Sequence, residues 1–225
     1  MQWQRRQIVL WVPFVLVSVI HLVALTFNSG VAGPTKLFLM PLLALPVVGA
    51  GRGHVVGPIR TLLLVALGFS WLGDGAGAFF PNGLELPLML AFFGCAHIAY
   101  IVLFVRYLNV RRLPRWVAIY ALWWVVMVAV IGPHTGALLI PVALYGLVLA
   151  GTAATAGGCG PMVAIGGAFF LTSDSLLAWR LFLPDAAPGW FGPAVMATYT
   201  LGQGLIVAGV LRQTKRRESV FLGAG

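Results

Sequence analysis

The amino-acid sequence predicts an all-α integral membrane protein, a polytopic bundle of eight transmembrane helices with both termini in the cytoplasm. Three observations support this fold class. Of the 225 residues, 60% are hydrophobic and only 8% are charged, whereas an ordinary soluble domain carries about 25% charged residues. Apolar runs long enough to cross a bilayer recur along the whole chain. The basic residues cluster between these runs, mostly in connections on one side.

Eight apolar runs are predicted to be transmembrane helices, because a helix needs about 20 mostly apolar residues to cross roughly 30 Å of hydrocarbon. The breaks between the runs are rich in Gly, Pro, Asn and Arg, as turns are. The predicted spans are residues 8–26, 36–50, 59–80, 84–106, 116–131, 138–154, 162–183 and 191–211.

The first run follows Arg5 and Arg6 and is interpreted as a retained helix. It is longer than the apolar core of a usual signal peptide, and no clear small-residue cleavage site follows it. Residues 1–217 are predicted to form a single transmembrane domain, and residues 218–225 a short, disordered cytoplasmic tail. The compact loops and the lack of a targeting tail favour a bacterial inner (plasma) membrane.

The basic residues predict the orientation, since cytoplasmic loops carry an excess of Lys and Arg. All but two of the 14 basic residues fall on one side of the eight spans, and Lys36 and Arg180 are the exceptions. An odd number of spans would break this alternation, so the charges support the count of eight. The residues placed in the cytoplasm are Arg5, Arg6, Arg52, Arg60, Arg106, Arg111, Arg112, Arg115, Arg212, Lys215, Arg216 and Arg217.

Several other function classes are disfavoured. The net charge is +9, but short basic clusters between apolar runs are not the pattern of a nucleic-acid-binding face. Cys95 and Cys159 form neither a disulfide framework nor a CxxC metal pair. A zinc-dependent membrane hydrolase needs several converging histidines, yet the four histidines lie on different elements at different depths. They are His21, His54, His97 and His134. No metal and no cofactor is predicted.

Two aspartates, Asp74 and Asp174, lie inside apolar runs of the third and seventh spans. Both spans are predicted to run outward, and each acid lies roughly 9 Å inside the outer end of its helix. An ionised carboxylate facing lipid costs at least about 2.5 kcal/mol, so both acids should face the bundle interior. The glycines and alanines around them predict close helix packing. Acids at matched depth on two helices indicate one functional site rather than two separate structural contacts.

Eight more polar side chains are candidates for lining that site. They comprise hydroxyls beside or one turn before an acid, polar pairs on one helix face of the fourth and eighth spans, and the two outer cations. The structural alternatives are a satisfied core histidine and snorkelling cations. The candidates are Lys36, Ser70, His97, Tyr100, Ser173, Arg180, Tyr199 and Gln203.

Five sequence elements carry a family resemblance. They are TKLFLMPLL in the second span, SWLGD in the third, FFGCAHIAY in the fourth, TSDSLLA in the seventh and YTLGQGLI in the eighth. In this order they resemble the YhhN family of membrane proteins, the lysoplasmalogenases, over most of the chain. The SxxGD and SDxxLA patterns are the most specific. Leu37 follows Lys36 where the family usually has proline, and a proline comes later, at Pro41.

The resemblance implies an enzyme that cleaves the vinyl ether bond of lysoplasmalogens, releasing a fatty aldehyde and glycerophosphocholine or glycerophosphoethanolamine. It implies Asp74 and Asp174 as the catalytic acids. The expected partners are the lysophospholipid substrate and membrane lipids, with no nucleic acid. The residues implied to line or support the site are Lys36, His97, Tyr100, Tyr199 and Gln203.

Two carboxyl groups suit this reaction. Hydrolysis begins with proton delivery to the β-carbon, water then adds to the oxocarbenium-like ion, and the hemiacetal collapses. Burial favours the protonated form of a carboxyl group, and a second carboxylate can stabilise the cation, as in glycosidases. Which aspartate donates the proton stays open. Lys36 and Arg180, on the predicted side of the acids, are expected to hold the phosphate.

Two other functional interpretations stay open. One is a proton-coupled small-molecule transporter with the aspartates as its relay. The serine and aspartate shared by the third and seventh spans hint at a parallel repeat, but the cytoplasmic halves of these spans are nearly all apolar. The other is a purely structural or regulatory membrane protein. The sequence does not predict the oligomeric state.

Overall fold

The structure is a computed structural model that describes residues 2–50, 57–80, 83–108 and 113–222, with side chains described between residues 8 and 214 of these ranges. All regular elements in this part of the chain are helices, which confirms the predicted all-α class. The α-helices are α1 (Gln2–Thr26), α2 (Ala32–Gly49), α3 (Gly57–Asp74), α4 (Ala76–Phe79), α5 (Glu85–Val102), α6 (Ile119–Ile131), α7 (Leu139–Gly157), α8 (Pro161–Phe182) and α9 (Phe191–Leu222).

Seven of the described helices are long and apolar enough to cross a membrane. They correspond to all the predicted spans except the third. Short helical segments of other types lengthen three of them. A π-helical turn, Leu103–Tyr107, continues α5. The 3₁₀ turns Arg115–Ala118 and Gly132–His134 flank α6, and the 3₁₀ turn Gly136–Leu138 precedes α7. An apolar helix bundle of this kind is typical of an integral membrane protein.

The third predicted span, residues 59–80, differs from the others. It forms the 18-residue helix α3 and the short helix α4, which meet at Gly75. Helix α3 is not among the seven strongly apolar helices, because its ends carry Arg60 and Asp74. The sequence analysis placed Asp74 roughly 9 Å inside the outer end of one longer helix. In the structure Asp74 is instead the last residue of α3.

Other boundaries also differ from the predictions. Helix α2 begins at Ala32, four residues before the predicted start. Helix α9 continues to Leu222, so the prediction of disorder is wrong for residues 218–222. The remaining tail residues, 223–225, lie outside the described residues, as do Arg52, His54, Arg111 and Arg112.

Seven long helices form a closed ring, and one lies outside it. Going round the ring, the neighbours in contact are α1, α2, α3, α5, α7, α8 and α9, and α9 returns to α1. Helix α6 packs on α7 and α8 from outside. Large apolar side chains, such as Leu122 on α6 and Ile140 on α7, are exposed on the outer faces, where a bilayer would cover them.

Helices α8 and α9 approach most closely at two glycines. A Cβ atom added at Gly166 would lie 2.8 Å from the Ile206 backbone nitrogen, and one at Gly202 would lie 2.8 Å from the Phe170 backbone nitrogen. These distances are shorter than any relaxed contact of a side-chain carbon, so only glycine fits at either position. The prediction that small residues bring the helices together near Asp174 is confirmed here.

Candidate active site

Asp74 lies at the end of α3 with its side chain only 3% exposed. Lys36 of α2 places its Nζ 3.4 Å from Oδ1. The Tyr199 hydroxyl of α9 donates a hydrogen bond to Oδ2 at 2.7 Å. Each oxygen of this carboxyl group therefore faces a donor, an arrangement suited to a carboxylate.

Asp174 lies on α8, and its side chain is 10% exposed. The Tyr145 hydroxyl of α7 donates a hydrogen bond to Oδ2. His97 Nε2 lies 3.8 Å from the same oxygen, which is beyond hydrogen-bond range. Within the described part of the chain, Oδ1 has no hydrogen-bond donor. This oxygen is therefore available to a ligand in the cavity that Asp174 lines.

His97 holds Tyr145 in place. The ring is fully buried and packs on Phe170, with ring centroids 4.6 Å apart. Nδ1 lies 3.2 Å from Thr152 Oγ1, and Nε2 lies 3.3 Å from the Tyr145 hydroxyl. The Tyr145 proton goes to Asp174, so the Tyr145 oxygen can accept a hydrogen bond from Nε2 in the His97 tautomer that carries its proton there. His97, Tyr145 and Asp174 thus form one chain of polar contacts across three helices.

Both aspartates line one cavity of about 240 Å³ at the same end of the ring. Four of the eight polar candidates also line it, and they come from α2, α8 and α9. Ser173 is one of them, but its hydroxyl donates to the Val195 carbonyl oxygen at 3.0 Å. These four candidates are Lys36, Ser173, Arg180 and Tyr199.

The other candidates lie behind the cavity wall. His97 reaches the site through Tyr145, as described above. Ser70, Tyr100 and Gln203 are fully buried and form a polar cluster that joins the site through Tyr199, to which Gln203 is also hydrogen-bonded. The Tyr100 hydroxyl donates to Gln203 Oε1 at 2.5 Å, and Gln203 Nε2 donates to Ser70 Oγ at 3.0 Å. This cluster ties α3, α5 and α9 together, and none of its three residues lines the cavity.

An apolar groove of about 950 Å³ adjoins the cavity. It runs between α2, the junction of α3 and α4, and the start of α5. Lys36, Asp74 and Met89 line both spaces, so the groove leads to the carboxyl group of Asp74. A space with mainly apolar walls and a few polar groups at one end suits an amphiphilic ligand.

Lys36 and Arg180 have different environments, although the sequence suggested the same role for both. Lys36 is engaged in the ion pair with Asp74. Arg180 is exposed at the mouth of the cavity and makes no ion pair within the described residues. Its guanidinium group packs beside Gly192, where an added Cβ would lie 3.5 Å from Nη1. Arg180 is therefore the cation that is free to bind an anionic group.

Two residues of the site were not among the candidates from sequence. Tyr145 contacts both Asp174 and His97. Its signal was a tyrosine in the middle of an apolar run, the same signal that selected Tyr100. His21 lines the cavity from α1, although the sequence analysis had considered it only as a metal ligand. Within the described residues, no three His, Cys, Asp or Glu side chains converge as metal ligands would.

The comparisons with known proteins give one finding. No curated protein and no solved structure matches the chain. The model of the YhhN family matches residues 32–210, a range that runs from the start of α2 into α9 and includes both aspartates. This range contains all five of the sequence elements that carried the resemblance, in the same order. The chain therefore belongs to the YhhN family.

Proposed function

We propose that this protein is a membrane-embedded hydrolase that cleaves the vinyl ether bond of lysoplasmalogens, with either choline or ethanolamine head groups. The products are a fatty aldehyde and a glycerophospho-base. The observation that carries the proposal is the pair of carboxyl groups, Asp74 and Asp174, on one cavity that adjoins an apolar groove. Membership of the YhhN family supports it.

The shape of the site suits a lipid with one chain. The chain would lie in the groove, and the vinyl ether would reach the cavity beside Asp74. Arg180 at the cavity mouth would bind the phosphate through charge-assisted hydrogen bonds. The two spaces share their lining at Lys36 and Asp74, so the chain and the head group can be bound together.

The hydrogen-bond geometry supports different roles for the two acids. Asp174 would donate a proton from Oδ1 to the β-carbon of the vinyl ether, while Tyr145 and His97 hold Oδ2. Asp74, whose two oxygens face Lys36 and Tyr199, would remain a carboxylate. It would stabilise the oxocarbenium-like cation and orient the attacking water. The hemiacetal then loses the glycerol oxygen as an alcohol and leaves the aldehyde.

The topology is also part of the proposal. Helix α3 has 18 residues, a length of about 27 Å at 1.5 Å per residue, which is close to the hydrocarbon thickness. It lies in the ring between α2 and α5, which are both apolar enough to cross a membrane. With α3 as an eighth span, the positive-inside rule places both termini in the cytoplasm and the cavity on the outer side. A bacterial inner membrane would be its location.

Aldehyde release by the purified protein tests the proposed activity. Lysoplasmenylethanolamine and lysoplasmenylcholine are expected to yield a fatty aldehyde and the matching glycerophospho-base in equal amounts. The saturated 1-O-alkyl analogues are expected to yield none, because they lack the double bond that accepts the proton. Folded protein that releases no aldehyde from either vinyl ether substrate would refute the proposal.

Replacing Arg180 with Gln is expected to raise KM about 10-fold or more with little change in kcat, because a charge-assisted phosphate contact contributes about 1.5–3 kcal/mol to binding. Steady-state aldehyde release at several lipid concentrations measures both constants. Arg212→Gln, near the opposite end of α9, is the matched control and should change neither constant. An unchanged KM in Arg180→Gln would mean that another group binds the phosphate.

The alternative of a proton-coupled transporter has less support. A relay would need polar groups that continue beyond Asp74, and the cluster of Ser70, Gln203 and Tyr100 begins such a path. It stops at Tyr100, whose ring stacks on the fully buried Phe104, with centroids 5.8 Å apart. Both rings belong to the same buried core cluster as Leu63 and Leu103, which are apolar and fully buried.

A further inference from the structure

His21 of α1 is a buried histidine to which the proposed hydrolysis assigns no role. The residue is 1% exposed and lines the cavity that holds both aspartates. Its Nδ1 lies 2.9 Å from Thr35 Oγ1 on α2. Its Nε2 is buried and has no hydrogen-bond partner within the described residues. His21 also precedes residues 32–210, which match the family model, so the family match assigns it no role.

Thr35 determines which ring nitrogen of His21 carries the proton. The Thr35 hydroxyl donates to the Val31 carbonyl oxygen at 2.7 Å, so its oxygen is left to accept a hydrogen bond from His21 Nδ1. In the neutral ring, Nε2 then presents a lone pair. Buried polar atoms nearly always have a partner. Because His21 lines the cavity, its buried and unpaired Nε2 is expected to find its donor in the molecule that fills the cavity.

The other polar groups on the cavity wall are poorly placed to accept a ligand's hydroxyl proton. Lys36 and Arg180 are donors only. The two oxygens of Asp74 already face Lys36 and Tyr199. The Asp174 oxygen without a donor is the one that would deliver the catalytic proton. The Ser173 and Tyr199 hydroxyls keep oxygen lone pairs, but both are already engaged as donors. Among the described groups of the wall, His21 Nε2 is the acceptor that has no hydrogen-bond partner at all.

We infer that His21 Nε2 accepts a hydrogen bond from the free secondary hydroxyl of the bound lysolipid's glycerol, and so selects lipids that have this hydroxyl. The inference rests on the proposed function, which places a lysolipid in the cavity. A lipid acylated at this position carries an ester, which has no proton to donate. Nε2 would then stay buried without a hydrogen-bond partner, and this lowers the affinity of the site for the acylated lipid.

Binding of two lipids that cannot be hydrolysed tests this inference: a saturated 1-O-alkyl lysophosphatidylethanolamine and its 2-deoxy analogue. Wild-type protein in nanodiscs is expected to bind the lipid with the hydroxyl about 10-fold more tightly. His21→Phe keeps a flat ring without an acceptor and should bind both lipids equally. His21→Gln can place an amide oxygen near the Nε2 position and should keep part of the preference.

A buried serine of the same helix provides the matched control. The Ser18 hydroxyl donates to the Phe14 carbonyl oxygen at 2.7 Å, away from the cavity lining. Ser18→Ala should keep the full preference for the lipid with the hydroxyl. Thr35→Val, which releases the His21 ring, should weaken the preference and serves as a second test if His21→Phe does not fold.

Two results would overturn the inference. Equal binding of the two lipids by the wild type would mean that Nε2 has only water as its partner. A full preference in folded His21→Phe would mean that another group recognises the hydroxyl. The proposed function is tested separately, by cleavage of the vinyl ether substrate. If that function is wrong, wild-type protein would release no aldehyde from this substrate, whether or not it binds the two saturated lipids.

Discussion

Replacing either cavity aspartate with Asn is expected to lower kcat for aldehyde release by about 10²–10⁴-fold, the range that general acid–base catalysis contributes. In Asp174→Asn the amide oxygen can still accept the hydrogen bond from Tyr145, so the geometry is retained while the acid is lost. In Asp74→Asn the negative charge opposite Lys36 is lost, and with it the stabilisation of the cationic intermediate. KM should change much less than kcat in both variants.

The chain offers a matched control for this prediction. Asp185 is an exposed aspartate in the 3₁₀ turn Pro184–Ala186, after α8 and outside the cavity lining. Asp185→Asn should leave kcat and KM unchanged. Asp174→Glu, which keeps an acid, should recover part of the activity that Asp174→Asn loses. Thermal unfolding of each variant separates loss of catalysis from loss of the fold.

A folded Asp174→Asn variant with kcat within about 10-fold of the wild type would contradict the role of Asp174 as proton donor. A similar result for Asp74→Asn would restrict the chemistry to Asp174 and its tyrosine. If both variants retained activity, the cavity would not be the active site, and the proposal would fail even if the wild type released aldehyde.

The sequence predicted the fold class and the main acids for one physical reason, which is that charge is rare in hydrocarbon. Asp74 and Asp174 stand out because every neighbouring residue in their runs is apolar or small. The same contrast located seven of the spans. The bounds of the third span were predicted less accurately, because Arg60 and Asp74 at the ends of α3 lower its mean hydropathy.

The sequence could not predict which side chains meet. Lipid-facing and interior faces of these helices are both apolar, so hydropathy does not indicate which helices are neighbours. The contact between His97 and Tyr145 depends on α5 lying beside α7, although α6 separates them in the chain. For the same reason the sequence could not show that Ser70, Tyr100 and Gln203 reach the site through Tyr199 and do not line the cavity themselves.

The roles of the two cations show a related limit. Lys36 and Arg180 have the same charge and were predicted on the same side of the membrane, so both were expected to bind the phosphate. The structure separates them because Lys36 lies within 3.4 Å of Asp74, while Arg180 stays at the cavity mouth. Only the distances between helices distinguish a charge partner of an acid from a free anion-binding group.

Replacing Gly202 of α9 with Ala is expected to destabilise the protein strongly, because the added methyl group would force α8 and α9 apart. The new Cβ would lie 2.8 Å from the Phe170 nitrogen and 3.0 Å from the Gly166 carbonyl oxygen. Both neighbours are backbone atoms of α8, so no rotamer change can relieve the contact and the helices must separate. Overpacking usually costs about 1–3 kcal/mol, and we expect the upper part of this range. Thermal unfolding in detergent measures the loss.

This separation should also lower activity, because α8 carries Asp174 and α9 carries Tyr199, the partner of Asp74. Gly166→Ala creates the reciprocal contact and should have a similar effect. The double variant should lose less stability than the sum of the two, since one displacement relieves both contacts. Gly68→Ala is the matched control: it lies inside α3 with no atom within 4 Å of the added Cβ. If Gly202→Ala unfolded at the same temperature as Gly68→Ala, the two helices would not approach each other as closely as the glycines require.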